Sequence, residues 1–100
     1  MNYKTYNIFF GKLANHLRIK IISNLDKKDM SVTELVGSLK VEQSKISHAL
    51  RELRECNIVQ AKKEGKQRIY SLSKTIVPIL RLIDCHSKNC SKCRGCGKWK

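Results

Sequence analysis

Apolar residues fall along the first half of the chain at intervals of three and four. Phe9, Phe10 and Leu13 share one side of a segment that predicts a helix over about Asn7–Ala14. Asn15 can cap a second helix, about His16–Leu25, whose Leu17, Ile21, Ile22 and Leu25 recur at helical spacing. The polar stretch Asp26-Lys27-Lys28-Asp29 interrupts the pattern. A short helix follows over about Val32–Leu39. Ser31 or Thr33 can cap it, and Glu34, three residues after Ser31, completes a capping box. After a turn at Lys40-Val41-Glu42 comes the clearest helix, about Gln43–Cys56. Its apolar residues Ile46, Ala49, Leu50 and Leu53 form a single stripe, and Asn57 can end it in the left-handed conformation.

Beyond Asn57 the period shortens. Ile58-Val59-Gln60-Ala61-Lys62-Lys63 and Gln67-Arg68-Ile69-Tyr70-Ser71-Leu72 predict two strands around Glu64-Gly65-Lys66, a hairpin. Ser73 or Thr75 then caps a last helix, about Lys74–His86, in which Pro78 is tolerated only within the first turn. The expected fold is mainly α with a β-hairpin: a winged helix-turn-helix of about five helices plus a two-stranded wing. Residues 1–84 form the winged domain, with no internal repeat or linker. Residues 85–100 form a Cys- and Lys-rich tail with little to bury, which is expected to stay mobile without a ligand.

Net charge turns this architecture toward polyanions. The 100-residue chain carries 21 Lys+Arg against 8 Asp+Glu, a formal charge of +13. In the clearest helix the buried stripe leaves Ser44, Lys45, Ser47, His48 and Arg51 facing out, short hydroxyls and cations that can approach base edges and phosphates. The bland alternative is a solvated helix face. The hairpin favours the first reading: Lys62, Lys63, Lys66 and Arg68 give it a basic tip, directly after a helix-turn-helix, where a wing would touch the DNA backbone. No acid–base pair, nucleophile constellation or Gly-rich phosphate loop points to an enzyme. No segment approaches the roughly 18 consecutive apolar residues of a membrane span. The N-terminal residues do not form a secretory signal, so a cytoplasmic location is expected.

Three segments resemble the ArsR/SmtB-type winged-helix family. The first is Phe10-Gly11-Lys12-Leu13-Ala14 followed by Arg18-Ile19-Lys20-Ile21-Ile22. The second is Ser31-Val32-Thr33-Glu34-Leu35 with Gln43-Ser44-Lys45-Ile46-Ser47-His48-Ala49-Leu50-Arg51-Glu52-Leu53 and its exit Asn57-Ile58-Val59. The third is the wing end Arg68-Ile69-Tyr70-Ser71-Leu72. The resemblance covers about residues 8–83. It implies a transcriptional regulator, expected to be a repressor, that binds double-stranded DNA as a homodimer built from the first and last helices. Phe9, Leu13, Ile76, Ile79, Leu80 and Ile83 are the expected dimer contacts. The last helix is apolar nearly all round, more than one small domain can bury. A protein-interaction or RNA-binding winged helix with a structural metal knuckle is the competing expectation.

The family's thiol site on the helix before the recognition helix has no counterpart here, since Glu34-Leu35-Val36-Gly37-Ser38-Leu39 lacks cysteine. Nor does Lys74–Ile76 offer ligands for the site that other members place on the last helix. The remaining chemistry lies in Cys85, Cys90, Cys93 and Cys96. In a reducing compartment such spacing points to a metal or to reactive thiols rather than disulfides. Four thiolates suit zinc, an iron–sulfur cluster or copper(I). Cys56, at a helix exit, is expected to be a small core residue.

Overall fold

The computed structural model describes residues 2–90. They form α1 (Tyr3–Leu13), α2 (His16–Lys27), β1 (Met30–Ser31), α3 (Val32–Leu39), α4 (Gln43–Glu55), β2 (Val59–Glu64), β3 (Gln67–Leu72) and α5 (Ile76–Asn89). The central strand is β3, flanked on both sides in antiparallel register by β1 and β2. This is a winged helix-turn-helix, as the hydrophobic pattern predicts.

Caps explain most helix boundaries. The Asn15 side chain accepts from the Arg18 N–H at 3.1 Å and starts α2. Ser31 and Glu34 form the full capping box of α3, with contacts of 3.2 and 3.0 Å. The Glu34 carboxyl is held below its ordinary range, chiefly by the Ser31 N–H and then by Lys28. Asn57 takes φ 57° after α4, as expected. Lys40 also lies in the left-handed region, φ 56°, closing α3 by donating its N–H to the Val36 carbonyl; nothing in its residue type foretells this.

Several boundaries differ from expectation. Helix α1 begins four residues earlier than Asn7, because Asn2 caps it by accepting from the Thr5 N–H at 3.2 Å. Within it, Phe9 and Leu13 pack on the core, whereas Phe10 is 56% exposed. Strand β1 is an unexpected third strand: Met30 pairs with Tyr70 and Ser31 with Ile69. Helix α5 starts at Ile76, behind a Thr75 that makes no side-chain cap; its hydroxyl instead lies 3.1 Å from that of the buried Ser73. Pro78 falls in the first turn, where its missing N–H costs nothing. The helix continues to Asn89, so Cys85 and its neighbours up to Asn89, expected in the tail, belong to α5.

The core joins Ile21, Ile22 and Leu25 of α2, Leu35 of α3, the whole Ile46-Ala49-Leu50-Leu53 stripe of α4, and Met30, Ile58, Val59, Tyr70 and Ile76. Ile76, expected at the dimer surface, is 2% exposed and packs in the chain's own core. Cys56 is half-buried against the same core, as a small packing residue. No buried side-chain polar atom among the described residues lacks a partner. Arg81 fastens α5 to the domain, bonding Asp26 at the end of α2 and Asp84 one turn on in its own helix.

Candidate nucleic-acid interface

Burial of four apolar residues on one side of α4 dictates what its other side presents. Ser44, Lys45, Ser47, His48 and Arg51 are all exposed. Helix α4 follows α3 across the short Lys40–Glu42 turn and packs on it. Its exposed face is thus held by a rigid core, as a reading helix must be.

The wing rises beside that face. Its turn is Gly65-Lys66, between the paired Glu64 and Gln67. Gly65 has φ 62° while Lys66 does not enter the left-handed region, the pattern of a type II′ hairpin turn, which glycine permits at its first central position. Directly opposed residues share a face of a sheet. The register pairs Val59 with Leu72, Ala61 with Tyr70 and Lys63 with Arg68, so Lys63 and Arg68 extend the core-facing side beyond the last buried residue. Lys62 pairs with Ile69 and lies on the other face. The four wing cations therefore do not form one cluster at the tip: only Lys66 is in the turn, and Lys62 is turned away from Lys63 and Arg68.

Ser44, Ser47, His48 and Arg51 of α4 and Arg68 and Tyr70 of β3 line one open groove, joined by Arg54. Arg54 escaped the sequence reading, although helical spacing from Ser47 and Arg51 places it on their face. A second depression, between the start of α3 and the wing, is lined by Ser31, Val32, Thr33, Lys66, Gln67, Arg68 and Tyr70. Lys45 lies on the opposite flank of α4, toward Asn15 and Arg18, and pairs with Glu42 at 3.7 Å.

The groove is lined by three arginines and no carboxylate. Three carboxylates on or beside α3 and α4 are engaged: Glu52 with Lys12 at 2.6 Å, Glu34 with Lys28 at 3.6 Å, Glu42 with Lys45. Glu55 at the end of α4 and Glu64 in the wing are exposed outside the groove lining. Among the described residues, Arg51, Arg54, Lys62, Lys63, Lys66 and Arg68 have no carboxylate within ion-pair distance. Lys63 and Arg68, like charges directly across a strand pair, repel each other. A polyanion lying along the wing would relieve that repulsion.

The other expected sites separate. Phe9 and Ile79 meet in a shallow apolar groove between α1 and α5, together with Thr5, Tyr6 and Phe10. Leu13 and Leu80 are half-buried against the core, and Ile83 is 47% exposed one turn beyond Ile79. Cys85 is exposed in α5 and Cys90 follows the helix end in extended conformation. Cys93 and Cys96 lie outside the described residues. No helix among the described residues is long and apolar enough to cross a membrane.

The reading helix, the short turn before it and a basic wing define a winged helix-turn-helix protein. Residues 15–61, from the cap of α2 into β2, match the bacterial regulatory protein family arsR. The HTH-type transcriptional regulator Rv0081 of Mycobacterium tuberculosis is 39% identical over 72 residues, 71% of this chain and 63% of that protein. Its crystal structure superposes with TM-score 0.76 at 33% identity, covering 84% of this chain and 85% of that one. The transcriptional repressor SmtB homolog of Synechocystis is 35% identical over 65 residues, 65% of this chain and 49% of its own length. The structure of HlyU from Vibrio cholerae superposes with TM-score 0.70 at 28% identity, covering 85% of this chain and 99% of that one. The chain belongs to the arsR family, a family of regulators and not of enzymes. It spans about half to two-thirds of the length of these two curated relatives.

Proposed function

We propose that the protein is a sequence-specific, double-stranded DNA-binding transcriptional regulator that works in the cytoplasm as a homodimer. The observation that carries this reading is the groove between α4 and the wing, where arginines from both elements stand without carboxylate partners. Helix α4 enters the major groove, with Ser44, Ser47, His48, Arg51 and Arg54 toward base edges. Lys63, Lys66 and Arg68 follow the flanking backbone. The apolar groove of α1 and α5, continued by Ile83, takes a second copy, so that two reading helices meet one pseudo-palindrome. Such a dimer represses by occupying the promoter it reads.

Duplex selection from a random library, followed by titration of the winner and a scrambled duplex, tests this. A single enriched half-palindromic motif is expected, with affinity falling steeply as salt rises, by nearly one logarithmic unit of slope per phosphate contact. Equal affinity for structured RNA, or no enrichment, would support the interaction-module alternative instead.

The tail supports a second element of the reading, a metal response. Four thiols within twelve residues form a soft donor set suited to zinc, an iron–sulfur cluster or copper(I). Cys85 and Cys90 sit at the end of α5, so a bound metal would act on the helix that also carries the dimer surface. Protein purified without chelator is expected to carry stoichiometric metal that Cys90→Ser removes; visible absorption would mark a cluster and its absence zinc or copper. Metal-free wild-type protein with unaltered operator affinity after zinc, copper(I) or iron–sulfur reconstitution would remove this element.

A further inference from the structure

Glu52 lies on the flank of α4, between the reading face and α1, with a side chain 23% exposed. Lys12, forty positions away on α1, donates to its Oε2 at 2.6 Å. That hydrogen bond and the Lys12 charge, with a smaller contribution from Arg18, hold the Glu52 carboxyl below its ordinary range, while Glu52 raises Lys12 in turn. The other oxygen, Oε1, is 3.8 Å from His48 Nε2, one turn back. His48 Nδ1 is 3.1 Å from Arg51 Nη2.

Arginine offers only donors, so Nδ1 of His48 is the acceptor in that contact. The other ring nitrogen, Nε2, is the one that faces Glu52 Oε1. Lys12 thus donates to Oε2 and Arg51 to Nδ1, while His48 Nε2 faces Oε1 at 3.8 Å, a polar contact longer than a hydrogen bond.

We propose that Glu52 is a positioning residue for sequence discrimination: braced by Lys12, its carboxylate orients His48, which in turn holds Arg51 over the reading face. This rests on the reading of α4 as the DNA-contacting helix. A preset arginine loses less freedom on docking and finds its base more selectively than a wandering one. Glu52 itself needs no contact with DNA, and the Lys12 ammonium meets α4 at Glu52.

The test is a cycle of Lys12→Met, Glu52→Gln and the double variant, read as the ratio of operator to scrambled-duplex affinity at fixed salt. Each single change is expected to lower that ratio by about tenfold, and the double to be no worse than the weaker single, because both break one relay. Lys12→Arg should restore the ratio. Lys4→Met, which removes a charge from the same helix without touching the bridge, should leave it unchanged. In the free protein, Lys12→Met should shift the His48 ring resonances although Lys12 does not contact that ring. Additive losses, no rescue by Lys12→Arg, or unmoved His48 resonances would overturn the proposal. Failure of the wild type to prefer any duplex would refute the DNA reading instead, and the free-protein resonances would still decide the relay.

Discussion

Ile83→Asp is expected to turn the proposed dimer into a monomer while leaving each copy folded. Ile83 is 47% exposed, one helical turn beyond Ile79, which already lines the apolar groove with Tyr6, Phe9 and Phe10. Tyr3 and Ile8 of α1 and Leu82 of α5 are likewise exposed. A two-fold interface uses each residue twice, so one substitution removes two apolar side chains, each about half exposed beforehand and so contributing roughly 0.7–1.5 kcal/mol, and inserts two carboxylates whose desolvation adds to the loss. The expected weakening is at least about a hundredfold, from roughly 3 kcal/mol or more of lost association energy. The choice of residue matters. Ile76→Asp would place a charge in the protomer's own core, and Leu80, half-buried there, would confound packing with assembly. Light scattering at micromolar concentration checks the result, with circular dichroism to confirm the fold. A wild-type monomer, or a dimer that survives Ile83→Asp, places the interface elsewhere.

The contrast between Ile76 and Ile83 shows where sequence reading stops. Both are apolar residues of one helix, at spacings that fit the same stripe. Nothing local distinguishes an isoleucine facing its own core from one left for a partner. Only the packing of α5, fixed partly by Arg81 on Asp26 fifty-five positions away, separates them. Strand β1 was hidden for a similar reason: two residues cannot show a period, and Met30 finds its place by pairing with Tyr70 far along the chain. The reading helix was legible because its evidence is local. A stripe of four buried residues at helical spacing defines the outer face by exclusion, and the structure buries all four while exposing Ser44, Lys45, Ser47, His48 and Arg51. The wing was legible as a hairpin but not in its geometry. Treating Lys62, Lys63, Lys66 and Arg68 as one cluster ignored the two-residue period that sends Lys62 to the far side. Glu52 carried no signal of its own, since the Lys12 that engages it lies on another helix.

Arg51→Ala and Arg68→Ala are expected to weaken binding in two distinguishable ways. Arg51 stands mid-face on α4, where a guanidinium can bond a guanine edge with two parallel hydrogen bonds. Its loss should cost about 1–3 kcal/mol per half-site and fall on the preferred sequence alone. In a symmetric dimer both half-sites lose it, so operator affinity should drop roughly thirtyfold to ten-thousandfold while scrambled-duplex affinity changes little. Arg68 stands on the wing opposite Lys63, where a phosphate would screen their mutual repulsion. Its loss should weaken every duplex alike and flatten the salt dependence by about one unit per protomer. Removing Arg68 also ends the repulsion with Lys63, so the free protein should be no less stable than wild type, and lost binding cannot then be charged to misfolding. Lys62→Ala, on the other face of the wing, should affect binding less than Lys63→Ala at the same ionic strength. Titrations of all four variants on operator and scrambled duplexes, at several salt concentrations, read these patterns directly. If Arg51→Ala reduced both affinities equally, α4 would be a backbone-binding helix and base reading would fall to other residues. If Lys62 mattered as much as Lys63, the wing would lie across the DNA rather than along it.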